Sequence, residues 1–70
     1  MQNKMNESEK LFSLYKKLDE SIKDLNECIL LLQDEKIDNI QKIRINICIK
    51  SNKLAIELYN KKINEIILKS

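Results

Sequence analysis

The chain has 70 residues, a formal net charge of +2, two Cys, and no His, Gly or Pro. That length allows one domain, which buries only about 60% of its unfolded surface and is marginal without disulfides, metal or association. Lacking His, it has no ordinary acid–base residue near neutral pH and no Ser-His or Cys-His nucleophile; lacking Gly, it has no phosphate-cradling loop. Two thiols, Cys28 and Cys48, fall short of the four ligands of a zinc site. The composition therefore predicts a non-enzyme with no cofactor and no metal, reinforced by association.

The opening residues, Met1-Gln2-Asn3-Lys4-Met5-Asn6, lack the apolar stretch of a secretory signal, which predicts a cytoplasmic chain. The longest apolar run, Cys28 to Leu32, has five residues against the roughly 20 of a membrane span. Ile, Lys and Asn together make up 32 residues, a bias that an AT-rich genome produces and that makes chance Ile patterns commoner.

Asn6 with Glu9 has capping-box spacing and marks the start of a first helix. From there Leu11, Tyr15, Leu18, Ile22, Leu25, Ile29 and Leu32 alternate steps of four and three, a heptad stripe over three repeats. Lys16, Lys17, Asp19, Glu20, Lys23 and Asp24 between them suit water. The stripe predicts a helix over about 6–33 that packs along this seam. The carboxylates Asp19, Glu20, Asp24 and Glu27 read as a solvated face.

Residues 34–38 form the one polar break and predict a turn, with Asp38 and Gln41 spaced to cap a second helix over about 39–68. Asn39 is the best candidate for a left-handed residue. A continuous rod is the competing reading. Alternation of Ile43, Ile45, Ile47 and Ile49 with polar residues has the period of a strand, but no other segment could pair with it, so helix is preferred.

The second helix carries two apolar stripes. Ile45, Ile49, Ile56, Tyr59, Ile63 and Ile66 form one; Ile40, Ile47, Leu54 and Leu58 form the other. Folded back near Ile37, the chain pairs Leu11 with Ile63, Tyr15 with Tyr59, Leu18 with Ile56, Leu25 with Ile49 and Ile29 with Ile45. Pairing Leu18 with Leu58 and Ile22 with Leu54 is the alternative. Either way one stripe is left over, which predicts an interface through Ile40, Ile47, Leu54 and Leu58. Residues 1–35 carry five Lys against eight acids and residues 36–70 eight Lys or Arg against three, a split that favours antiparallel pairing. The predicted fold is thus all-α, a coiled-coil-like antiparallel hairpin that dimerises into a four-helix bundle.

A Tyr-bearing heptad helix, an acidic turn (Asp34 to Asp38) and an Ile-rich helix carrying Arg44 resemble the N-terminal hairpin of flagellar export chaperones of the FliT and FlgN type. The layout is also similar to the Rop-type plasmid RNA regulator and to small secretion chaperones. The shared implication is a non-catalytic hairpin that binds a second copy of itself or another helical protein. Nucleic acid is the rival partner, because Lys36, Lys42, Arg44, Lys50, Lys53, Lys61 and Lys62 lie on the second half. Against it stand a single Arg and only three aromatics, Phe12, Tyr15 and Tyr59.

Overall fold

A computed structural model of the chain describes residues 6–69. It consists of two α-helices, α1 over Glu7–Leu32 and α2 over Asn39–Lys69, folded back on each other as an antiparallel hairpin. No strand occurs among the described residues; the alternating segment 43–49 is helical, with Ile45 and Ile49 turned inward and Ile43 and Ile47 outward.

Local chemistry sets the ends. The Asn6 side chain accepts a 2.8 Å hydrogen bond from the Glu9 backbone N–H, satisfying a donor that the first turn of α1 leaves unpaired. Glu7 and Glu9 add negative charge where the helix dipole favours it. At the other end the Gln33 and Asp34 N–H groups donate to the Leu30 and Leu31 carbonyls, each at 3.1 Å, which tightens the last turn. The Asp34 carboxylate then accepts from the Lys36 N–H at 3.0 Å and turns the chain. Asp38 and Gln41 form a reciprocal capping box: Gln41 N–H donates to the Asp38 carboxylate at 2.8 Å, and Asp38 N–H to the Gln41 side-chain oxygen at 3.3 Å.

Asn39 is not left-handed; it is the first residue of α2, and no described residue has positive φ. A tightened helix end followed by an Asx turn reverses the chain without such a residue. Replacing either cap, Asn6→Ala or Asp38→Ala, is expected to cost about 1 kcal/mol, read as a lowered melting temperature in circular dichroism.

The seam follows one heptad row closely and departs from the other. On α1 the half-buried positions are Leu11, Leu14, Leu18, Ser21, Leu25, Cys28 and Leu32, joined by Ser13 beside them. The Leu row of the expected stripe is inside, but Tyr15, Ile22 and Ile29 are 49%, 40% and 40% exposed, and Leu14, Ser21 and Cys28 take their places. On α2 Ile45, Ile49, Asn52, Ile56, Tyr59, Ile63 and Ile66 face inward with Ala55. Taken in antiparallel order, the two rows set Leu11 against Ile66, Leu14 against Ile63, Leu18 against Tyr59, Ser21 against Ile56, Leu25 against Asn52, Cys28 against Ile49 and Leu32 against Ile45. This register lies three positions from the first expected pairing and one from the alternative of Leu18 with Leu58 and Ile22 with Leu54. The physical reason is size: small Ser21 and Cys28 across from Ile56 and Ile49 let the helices approach, where a Tyr15–Tyr59 layer and facing isoleucines would hold them apart.

Burial is thin. Ile63, at 4% exposure, is the one buried apolar residue among those described, and none is fully enclosed. The molecule measures 55 × 23 × 14 Å, so its smallest dimension is close to the width of a single helix. A layer one helix deep has no interior, and whatever apolar surface lies off the seam faces water.

Candidate protein-interaction surface

The outer face of α2, turned away from α1, is one such surface. Ile40, Ile47 and Leu54 recur every seven residues along it and are 65%, 60% and 62% exposed. Leu58, at 49%, and Ile43 widen the row. Lys61 then interrupts it. Around this patch the exposed cations Arg44, Lys50 and Lys61 outnumber the acids Glu57 and Glu65. A helix that is apolar on two opposite sides is covered, in stable proteins, on both; α1 covers one side of α2.

A second exposed row lies on α1. Tyr15, Ile22 and Ile29 run beside the seam, with Phe12 exposed at the same end as Tyr15. Assigning these three to the seam hid this surface from the sequence. The spacing Leu11-Leu14-Leu18-Ser21-Leu25-Cys28-Leu32 is as regular a heptad as the one chosen, and weighing the small residues in it would have exposed the ambiguity.

Comparison with known protein families, curated proteins and solved structures finds no match.

The remaining features offer little chemistry. A shallow groove at the open end is lined by Lys10, Ser13, Leu14, Lys62, Glu65, Ile66 and Lys69. No group of three or more acids and Cys suited to a metal occurs among the described residues, and no described helix is long and apolar enough to cross a membrane. Asp19 and Lys23 form an ion pair of 3.7 Å within α1, so exposed that it contributes little to stability. Both cysteines are free thiols. Cys28 is half-buried in the seam, and Cys48 is exposed on α2 next to Ile49, the residue across from Cys28. Burial pushes the Cys28 thiol above its ordinary value; the facing Cys48 thiol, then Asp24 and Glu27, add to this.

Proposed function

We propose that the chain is a non-catalytic protein–protein interaction module, an adaptor or chaperone-like subunit that offers the outer face of α2 to a partner helix. The observation that carries this reading is the exposure of Ile40, Ile47, Leu54 and Leu58 on one face of a helix whose opposite face is already occupied. The resemblance to export-chaperone hairpins points the same way. The partner that fits is an amphipathic helix with an acidic rim, because the cations around the patch outnumber the acids.

A second copy of the chain supplies such a helix. Its α1 carries Glu7, Glu9, Asp19, Glu20, Asp24 and Glu27 against four Lys, and has the spare apolar row Tyr15, Ile22 and Ile29. Two hairpins joined by a two-fold axis would form a four-helix assembly, the simplest way to cover both rows. Another helical protein with the same pattern is the heteromeric alternative.

Sedimentation of the purified chain at micromolar concentration tests this. The expected result is a dimer, or a monomer that is largely unfolded until its partner is added. A folded monomer that stays apart and captures no helical partner would overturn it. If the partner is instead a nucleic acid, binding would collapse between about 50 and 200 mM salt, whereas apolar helix packing persists.

A further inference from the structure

The groove at the open end of the hairpin is built by both helices, with Lys10 and Leu14 from α1 and Lys62, Glu65, Ile66 and Lys69 from α2. Its floor is apolar: Leu14 and Ile66 are half-buried there, while the three lysines and Glu65 stand exposed around them. Three cations against one acid leave the groove with surplus positive charge. None of these lysines forms an ion pair among the described residues. The groove shares no residue with the Ile40, Ile47, Leu54 and Leu58 row, so what it binds is independent of what covers that row. We propose that it binds a single-chain amphiphile with an anionic head, of the medium-chain fatty-acid class.

Size and charge together select this class. The groove holds about 380 Å³, near the lower end of small-molecule sites. A partner helix, about 10–12 Å wide with its side chains, would lie over it rather than enter it. An alkyl chain is narrow enough to lie lengthwise between the helices, on Leu14 and Ile66. Lys10 belongs to the start of α1 and Lys69 ends α2, so both ammonium groups belong to the outer end of the groove. A carboxylate head placed there accepts hydrogen bonds from them while keeping contact with water, which limits its desolvation cost. Lys62, two turns back along α2, covers the tail with its methylene stem and keeps its charge in solvent.

The test is to titrate the purified full-length chain with decanoate, below its micelle-forming concentration, by calorimetry and amide NMR. The expected result is saturable binding of one molecule per chain, half-complete at or below about 1 mM. The largest shifts should fall at Leu14 and Ile66. Hexanoate should bind about tenfold or more weakly, because each buried methylene adds to affinity. Decanol, which keeps the tail and loses the charge, should bind several-fold more weakly. Lys62→Glu combined with Lys69→Glu should weaken decanoate about tenfold, and Lys16→Glu should leave it unchanged. All three positions are exposed, so the fold survives these changes, as circular dichroism will show. Equal binding of hexanoate or decanol, uptake that never saturates, indifference to the paired charge reversal, or shifts centred on Ile47 and Leu54 would each overturn the proposal.

Discussion

Ile47→Asp and Leu54→Asp are expected to disperse the assembly of this chain, each weakening it by about a hundredfold or more. Burying one such side chain contributes about 1.5–3 kcal/mol, and a two-fold interface loses that contribution twice. Every 1.4 kcal/mol is about a factor of ten in affinity, and a carboxylate held in an apolar contact adds its own desolvation cost. The control is Lys16→Asp, on an exposed position of α1, which should leave the assembly intact. Both outer-face positions lie off the hairpin seam, at 60% and 62% exposure, so the helical content of each chain should fall only as far as it depends on association. Sedimentation across a concentration series reads the first effect and circular dichroism the second. Unaltered association in both variants would remove the outer face of α2 from the interface.

The second large effect is expected at Ile63. Truncating a buried isoleucine to alanine costs about 2–5 kcal/mol, through lost transfer energy and the cavity left behind. A domain of this size has a total stability of roughly 4–10 kcal/mol. Ile63→Ala should therefore leave a large fraction of the chain unfolded near room temperature. Ile29→Ala is the informative contrast: at 40% exposure it should cost about 1 kcal/mol or less. Urea titration of the two variants separates them. Equal losses would show that Ile29 belongs to the seam after all.

That contrast also marks where the sequence was legible. The caps were, because Asn6, Asp38 and Gln41 act through hydrogen bonds to residues three positions away, and nothing distant competes. The Leu row at 11, 18, 25 and 32 was, because it is common to both heptad stripes that helix 1 contains. The partner row was not. Tyr15, Ile22 and Ile29 are the more hydrophobic choice, but which flank turns inward is decided by how closely α2 can approach, a tertiary quantity favouring Ser21 and Cys28. Asn39 was misread for a related reason, since several turn geometries reverse a chain over so short a break. The inward rows of α2 and its spare outer row were separable on paper, because they lie on opposite sides of the helix, and a helix packed on one neighbour can cover only one of them.

The position of Ile63 has a kinetic consequence. In an antiparallel hairpin the contacts nearest the turn close the smallest loops, so Leu32 and Ile45 meet at low entropic cost beside the Asp38–Gln41 capping box. Zippering from there reaches Leu14 and Ile63 near its end. The best-buried of the described side chains is thus expected among the last to dock, with most of its energy absent from the transition state. Shortening it should leave the folding rate nearly unchanged and speed unfolding, seen as a displaced unfolding limb in a denaturant-jump chevron. A slowed folding limb would place the open end in the nucleus instead. If the open end docks last it also parts first, and the ends that hold Leu11 and Ile66 together act as the latch of the hairpin while the turn acts as its hinge.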